Sequence, residues 1–470
     1  MVTGKNSIMR FPQNLNAQSL QSYVDGLVDQ YGVPALSLAI WHNNTLHSAA
    51  AGILNVETGV EANTDSVFQI GSVTKVVTAT IIMQLVDAGR VDLDRPVKHY
   101  LRDFQVADPC VTKTLTVRQL LNHTNGLAGD FIVDDPITGG NPIAAYVERC
   151  GLLPQVHPLG EFHSYSNSAY AIAGRLIEVV LGCSWFDAVE ENVIHVLGLS
   201  RSFAKPADAL RFRSAMGHMP APESPASWQL ASSCYPPLGL AAAGTTLSMS
   251  ASDMVAFVRA HLPQESSESV GRPGKRWLSN SSIKQMQTSS VKLPENSPGS
   301  VTDWGLGWCL MDGGRNPIVG HDGATFGQCC LVNMLPEQGL IFSVQTNCTQ
   351  GSVLKTVFND VMATLANIRF TPAEPSESLL NPDSVVGTYD SFDAIITVSL
   401  NGSELIAIRK DKVLGLPDET WNLKSIDENA MAVYSKNGER IDNIVFLDRN
   451  AKGQAGYLYA SFCVYRRVSI

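Results

Sequence analysis

Strand-like segments lie at both ends of the first 370 residues, and a long helical block separates them. Residues 35–41 form an apolar run that is followed by a polar turn and a return strand, and further strand-like runs occupy residues 304–346. Residues 90–265 carry patterns typical of helices and loops. Strands from distant parts of a chain are expected to meet in one layered sheet. We therefore predict an α/β (α+β) fold, in which helices flank an antiparallel sheet and a mostly helical lobe adjoins it.

The pattern changes after the Pro- and Glu-containing segment 371–378, which is typical of a solvated linker. Beyond it, two apolar runs flank Asn401-Gly402, a strong β-hairpin signal, and a similar signal surrounds Asn437-Gly438. We predict a division into residues 1–370 and residues 371–470. The second part is expected to form a small antiparallel β-domain, either a barrel or a sandwich.

The charge and composition exclude several classes of function. The chain has 470 residues, only 17% of them charged, and a formal net charge of -10. Without a Lys/Arg cluster we expect no nucleic-acid partner. Without an apolar stretch of about 18 to 20 residues or an apolar leader we expect no membrane partner and a cytoplasmic location. The histidines and cysteines lack the spacing of metal ligands, so we predict neither a metal nor a cofactor.

The most reactive pattern in the chain is Ser72-x-x-Lys75, at the start of an apolar helical run. One helical turn places the lysine amine on the same face as the serine hydroxyl, where it can assist in removing the proton. The same spacing recurs at Ser202, Ser281, Ser289 and Ser352. Only Ser72 and Ser352 follow a strand-like run and open a helix, and Ser352 also fits a simple helix N-cap. The pattern at Ser72 therefore favours acyl transfer through a serine ester.

Two further motifs follow Ser72 in a characteristic order. Tyr165-Ser-Asn167 precedes a helical run, and Gly320-His-Asp-Gly-Ala-Thr-Phe-Gly327 lies between strand-like segments. Together with Ser-x-x-Lys, they resemble the serine β-lactamase and penicillin-binding-protein superfamily, above all class C β-lactamases and their esterase, D-aminopeptidase and acyltransferase relatives. Residues 116–127 and the Gly-Leu-Gly-Trp of 305–308 match supporting segments of that family. The resemblance marks 1–370 as a catalytic domain and 371–470 as similar to the lipocalin-like domain of some members.

The resemblance implies a role for each matching residue in the acylation step. Ser72 would be the nucleophile, and Lys75 and Tyr165 would share its proton, the sequence leaving open which of them is the general base. Tyr165 would also pass a proton to the leaving group. Asn167 would hold Lys75 and the substrate, or would cap the following helix.

The second group of implied residues lies on the predicted strand near residue 321. His321 occupies the position that is lysine in many β-lactamases. The backbone N–H of Ala324, after Gly323, would complete an oxyanion hole with that of Ser72. Asp322 departs from the family pattern, because a small hydroxyl or glycine is usual there. A negative charge about 4 Å from a substrate carboxylate costs roughly 4 kcal/mol at an effective dielectric of 20.

Asp322 therefore argues against antibiotic hydrolysis. We predict a serine hydrolase that acts on a small ester, thioester or amide, in secondary metabolism, with a free or carrier-bound thioester as one form of the substrate. The alternatives are an acyltransferase that hands the acyl group to an alcohol or amine, and a non-catalytic binding protein. The aromatic residues near the strand are candidates for an acyl pocket: Trp304, Trp308 and Phe326.

Overall fold

The computed structural model describes residues 10–129, 140–235, 237–263, 277–314, 317–376, 380–413 and 417–468. The chain divides into two compact units, each assembled from three chain segments. The sheet unit comprises Met1–Asp87, Cys183–Lys284 and Gly313–Phe370. The barrel unit comprises Ala88–Gly182, Gln285–Asp312 and Thr371–Ile470.

Helices and strands alternate through the first 290 residues. The elements up to residue 182 are α1 (Ala17–Tyr31), β1 (Ala35–His42), β2 (Thr45–Asn55), β3 (Val60–Glu61), β4 (Phe68–Gln69), α2 (Thr74–Asp87), α3 (Val97–Tyr100), α4 (Pro109–Thr114), α5 (Val117–Leu121), α6 (Pro142–Arg149) and α7 (Asn167–Leu181). They are followed by α8 (Trp185–Val189), α9 (His195–Leu197), β5 (Ser202–Phe203), α10 (Pro206–Ala209), β6 (His218–Ala221), β7 (Ser224–Leu230), β8 (Ser248–Met249), α11 (Ala251–Arg259) and α12 (Asn280–Met286).

The rest of the chain is mostly strand. Its elements are β9 (Val291–Lys292), β10 (Val301–Trp304), β11 (Cys309–Met311), β12 (Ile318–Thr325), β13 (Gln328–Leu335), β14 (Leu340–Thr346), α13 (Ser352–Val361), β15 (Gly387–Asp390), β16 (Ala394–Asn401), β17 (Glu404–Asp411), β18 (Glu419–Ser425), β19 (Ala430–Tyr434), β20 (Arg440–Arg449), β21 (Ala455–Ala460) and β22 (Cys463–Val468).

The sheet unit is built on antiparallel strands in the order β3-β2-β1-β14-β13-β12. Strands β1 and β14 are almost entirely buried, which agrees with their predominantly apolar sequences. Helix α2 is buried on nearly every side because its apolar residues do not form a single stripe. Both strand groups predicted from the sequence thus share one sheet, although they lie about 300 residues apart in the chain.

The barrel unit contains a closed eight-stranded antiparallel barrel in the order β15 to β22. Its interior is packed with apolar side chains, among them Tyr389, Trp421 and Phe446. The hairpin predicted at Asn401-Gly402 is present, with Gly402 in the left-handed region at φ 64°. The unit also holds α3 to α7 and the antiparallel ribbon β11-β10-β9.

These elements confirm the predicted fold class of an antiparallel sheet with helices and a C-terminal antiparallel β-domain. The division into one domain of residues 1–370 and a second of residues 371–470 stays a prediction. Among the described residues, no helix combines the length and the apolar character that crossing a membrane requires.

Candidate active site

Ser72 lies in a short 3₁₀ turn that runs directly into helix α2. The turn covers Gly71–Val73, and α2 begins at Thr74. Lys75 follows Ser72 by three residues, and its Nζ donates a hydrogen bond to Ser72 Oγ at 3.0 Å. The side chain of Lys75 is fully buried, whereas Ser72 is partly exposed. An accessible hydroxyl is therefore in direct contact with an amine that is shielded from water.

A second segment of the sheet unit holds Lys75 from the opposite side. The Ala243 carbonyl accepts a hydrogen bond from Lys75 Nζ at 2.7 Å. The neighbouring Ala242 carbonyl accepts one from Thr78 Oγ1, also at 2.7 Å. These contacts anchor the turn before residue 244 to α2, so the position of the amine is determined by backbone groups rather than by solvent.

The repeated Ser-x-x-Lys patterns have different surroundings. Ser352 and Lys355 are both exposed on α13, whose N-cap is Gly351, so the interpretation of Ser352 as an N-cap is wrong by one residue. Ser202 donates to a carboxylate of Asp253 instead. The burial that isolates Lys75 from water is thus missing at the Ser352 pattern.

Strand β12 passes very close to the turn that carries Ser72. A Cβ atom added to Gly71 would lie 2.6 Å from the backbone N of Ala324, and one added to Gly323 would lie 2.8 Å from the backbone N of Ser72. The amides of Ser72 and Ala324 therefore border the same narrow gap. Two amides beside a serine oxygen are the components of an oxyanion hole. Side chains at positions 71 and 323 would push the two backbones apart.

His321 is buried on β12 and is uncharged at neutral pH. Burial, with a smaller contribution from the charge of Lys75, lowers the pKa of His321 to about 3. Its Nδ1 lies 2.6 Å from the carbonyl oxygen of Asp322, which can only accept, so Nδ1 carries the proton of the neutral ring. The next side chain, Asp322, is exposed on the other face of the strand. The position that is lysine in many β-lactamases therefore supplies no positive charge here.

Tyr165 lies in the barrel unit, in an extended segment. The backbone N–H groups of Ser164, Tyr165 and Ser166 all donate hydrogen bonds, alternately to His123 and to Phe462. The N–H of Ser164 donates to the His123 carbonyl at 2.8 Å, and the N–H of Ser166 donates to His123 Nδ1 at 3.1 Å. Between them, the N–H of Tyr165 donates to the carbonyl of Phe462 in the barrel, at 2.8 Å. The backbone of Tyr165 is therefore fixed by residues that are remote in sequence.

Asn167 begins helix α7 but does not cap it. The N-cap is Ser166, whose side chain accepts the N–H of Ala169 at 3.2 Å. The alternative interpretation of Asn167 as an N-cap is therefore wrong. That Asn167 holds Lys75 and the substrate stays a prediction.

The aromatic candidates belong to two different compact units. Trp304 is buried in the barrel unit, where its ring lies 5.8 Å from that of Tyr165. Trp308 belongs to the same unit and is fully buried. Phe326 belongs to the sheet unit, in the turn between β12 and β13, and is 37% exposed. Trp304 is therefore the candidate whose contact with a predicted catalytic residue is established.

Three residues near Tyr165 were not singled out by the sequence. His123 stacks on Tyr165 with ring centroids 4.4 Å apart. His163 and the barrel residue Phe462 complete the ring cluster around Trp304. A signal existed for His123, which lies in the matched segment 116–127, but none exists for Phe462, whose proximity depends on the tertiary fold.

Within the part of the chain that the structure describes, no three His, Cys, Asp or Glu side chains are grouped to hold a metal ion.

Comparison with known proteins agrees with this geometry. Residues 20–363 match the family described as Beta-lactamase, and the chain belongs to that family. Penicillin-binding protein 4 of Amycolatopsis lactamdurans is 37% identical over 380 residues, which are 79% of this chain and 96% of that protein. The resemblance predicted from the motifs is thereby confirmed, and the chain is a β-lactamase-fold serine hydrolase of the class that acts on amides and esters.

Solved structures show the same fold over most of the chain. A crystal structure of SurE with D-Leu is 25% identical and has a TM-score of 0.74, covering 96% of this chain and 99% of that one. The D-amino acid amidase from Ochrobactrum anthropi SV3, solved with L-phenylalanine amide, is 22% identical with a TM-score of 0.58, covering 74% of this chain and 97% of that one. The second likeness concerns the fold alone.

Proposed function

We propose that the protein forms an acyl-enzyme on Ser72 from a small amide, ester or thioester whose acyl group carries no free carboxylate. The observation that carries this proposal is the hydrogen bond between the buried Lys75 amine and Ser72 Oγ, at 3.0 Å. In its neutral form, Lys75 accepts the hydroxyl proton as Ser72 attacks the carbonyl carbon. The amides of Ser72 and Ala324 stabilise the oxyanion that develops.

Collapse of the tetrahedral adduct expels the amine, alcohol or thiol. In the proposal the leaving group takes its proton through Tyr165, a role that rests on the Tyr-x-Asn motif of the family. Water then attacks the ester and releases the acid. Transfer of the acyl group to an amine or alcohol uses the same intermediate. Such transfer is expected of an enzyme of secondary metabolism that takes carrier-bound thioesters. The two reactions differ only in the final acceptor.

The charges on β12 support the absence of a carboxylate from the acyl group. His321 is neutral because its pKa lies near 3, and the exposed Asp322 is the next residue. Desolvation by the surrounding protein raises the pKa of the Asp322 carboxyl, yet in its ionised form this group repels a substrate carboxylate near the strand, and the neutral imidazole supplies no compensating positive charge. Substrates that lack the carboxylate avoid this repulsion.

The configuration of the acyl group is proposed from a relative. A SurE structure contains D-Leu, and the two chains align over 96% of this sequence at 25% identity. We therefore include a D-amino acyl residue at the acylating carbonyl in the proposal.

The test compares four matched p-nitrophenyl esters: N-acetyl-D-leucyl, N-acetyl-L-leucyl, N-succinyl-D-leucyl and acetyl. We expect the N-acetyl-D-leucyl ester to be hydrolysed fastest, the L-ester and the carboxylate-bearing N-succinyl ester at least tenfold more slowly, and Ser72→Ala to be inactive. Adding an amine separates hydrolysis from transfer by the ratio of acid to amide. Equal rates for the D- and L-esters, or for the N-acetyl and N-succinyl esters, contradict the corresponding part of the proposal. No release above background indicates a binding protein.

A further inference from the structure

We propose that the turn between β21 and β22 of the barrel, through Phe462, is a positioning element for Tyr165. The inference rests on the proposed function, in which Tyr165 passes a proton to the leaving group. It assigns the C-terminal barrel a part in the reaction, although its strands carry no catalytic motif.

The backbone of the barrel pairs directly with the Tyr165 segment. The Phe462 carbonyl accepts a hydrogen bond from the Tyr165 N–H at 2.8 Å. The N–H of Val464 donates a hydrogen bond to Ser164 Oγ at 3.1 Å. The Cys463 thiol also lies 3.7 Å from the Tyr165 carbonyl. The first two residues of β22 thus contact this segment while they also pair with β21. A displacement of the turn displaces the Tyr165 backbone.

The turn itself adopts a conformation that its residues disfavour. Ala460 and Cys463 pair across it, so Ser461 and Phe462 are its two central residues. Their φ angles are 48° and 64°, the left-handed region that hairpin turns usually fill with Asn and Gly. A bulky aromatic residue held in that region is unusual, and such conformations persist where the surroundings determine them.

The Phe462 ring packs against the aromatic cluster that contains Trp304, a ring in contact with Tyr165. The ring centroid of Phe462 lies 6.0 Å from that of Trp304 and 6.5 Å from that of His163. Trp304 in turn lies 5.8 Å from Tyr165. A second barrel residue, Tyr459, joins its hydroxyl to His163 Nδ1 at 2.8 Å. The barrel therefore supplies both the backbone partner of Tyr165 and one wall of the ring cluster that orients its side chain.

The same contact region offers a matched control. Tyr457 of the barrel packs edge-on against Phe162, with ring centroids 5.1 Å apart. Both aromatic residues belong to the apolar cluster that joins the barrel to the loop before α7. Removing Tyr457 weakens this packing and leaves in place the ring contacts of Phe462 with Trp304 and His163 and the hydrogen bond of the Tyr165 amide. It separates a loss of stability from a loss of positioning.

The experiment measures kcat, KM and melting temperature with the N-acetyl-D-leucyl p-nitrophenyl ester. The central variant is the double substitution Ser461→Asn/Phe462→Gly, which removes the ring but keeps the carbonyl and installs residues that favour this turn. We expect it to melt no lower than the wild type. Its kcat should fall about ten- to a hundredfold, because small misplacements of a catalytic group cost factors of this size. Its KM should stay within twofold.

Three further variants test the route of the effect. Phe462→Tyr, which keeps the ring, should retain most of kcat. Tyr457→Ala should melt lower and keep kcat within twofold. When combined with Tyr165→Phe, the double turn substitution should change kcat less than twofold, because the hydroxyl that it positions is already absent.

The proposal is overturned if the double turn variant keeps wild-type kcat, or if it causes the same further loss in the Tyr165→Phe background. A loss in Tyr457→Ala equal to that in the turn variant also overturns it, since the effect is then one of packing. If Tyr165→Phe itself has wild-type kcat, the catalytic role of Tyr165 fails first and the positioning role fails with it. An inactive Tyr165→Phe beside a fully active turn variant overturns the positioning role alone.

Discussion

Replacing Gly71 by alanine tests the close approach between the serine turn and β12. Gly71 has a φ of 50°, and its added Cβ would lie 2.6 Å from Ala324 N and 2.8 Å from Ala324 O. Gly32, after α1, has a similar φ of 60° and open space around the same position. The two substitutions share the backbone strain and differ in the clash.

The expected magnitudes follow from that comparison. Alanine in the left-handed region costs about 1 to 2 kcal/mol relative to glycine, so Gly32→Ala should lose about this much free energy of unfolding and keep its activity. In Gly71→Ala the two backbones must separate by roughly 0.8 Å to restore ordinary contact. That shift misaligns the amides of Ser72 and Ala324, and loss of one oxyanion donor costs about 10²- to 10³-fold in kcat.

The assay combines urea unfolding with the rate of p-nitrophenol release from the N-acetyl-D-leucyl ester. We expect Gly71→Ala to remain folded and to be at least a hundredfold slower than Gly32→Ala. Activity of Gly71→Ala within threefold of Gly32→Ala would refute the reasoning, because the gap between the turn and β12 would then have no part in catalysis.

Three other changes have defined outcomes. Lys75→Met should reduce kcat by at least about 10³-fold. The matched Lys355→Met, at an exposed position of α13, should leave kcat unchanged. Equal effects of the two substitutions in a steady-state assay would argue against a role of the Lys75 amine in activating Ser72. His321→Lys should raise kcat/KM for the N-succinyl ester relative to the N-acetyl ester by about tenfold or more, and an unchanged ratio would contradict the electrostatic argument. Burial lowers the pKa of five histidines, and the pKa of three of them falls from 6.5 to about 3, 4 and 3: His163, His261 and His321. Below pH 6.5 these three imidazoles bind protons in the unfolded chain but not in the native state. The free energy of unfolding should therefore fall by about 4 kcal/mol between pH 7.5 and 5.5. Calorimetry that shows no such loss would refute this.

The parts of the site that are local in sequence could be predicted. Ser72 and Lys75 are three residues apart on a helical turn, so their contact follows from helix geometry. The Asn401-Gly402 turn is equally local. The error at Ser352 and that at Asn167 have one cause, since a helix boundary read from sequence is uncertain by a residue or two.

Other features depend on tertiary packing and left no pattern in the sequence. The contact between Cys463 and Tyr165 joins residues 298 positions apart, and no periodicity indicates it. The neutrality of His321 follows from its burial on β12, which a motif alone does not disclose. That Phe326 and Trp304 belong to different compact units likewise follows from the tertiary fold.

The central claim is that one hydroxyl, Ser72 Oγ, becomes acylated. Intact-protein mass spectrometry, followed by peptide mapping after a brief incubation with the N-acetyl-D-leucyl p-nitrophenyl ester, tests it directly. We expect the mass of one N-acetyl-leucyl group on the peptide that contains Ser72, and no adduct in Ser72→Ala. An adduct on a different residue, or turnover by Ser72→Ala at the wild-type rate, would contradict the account.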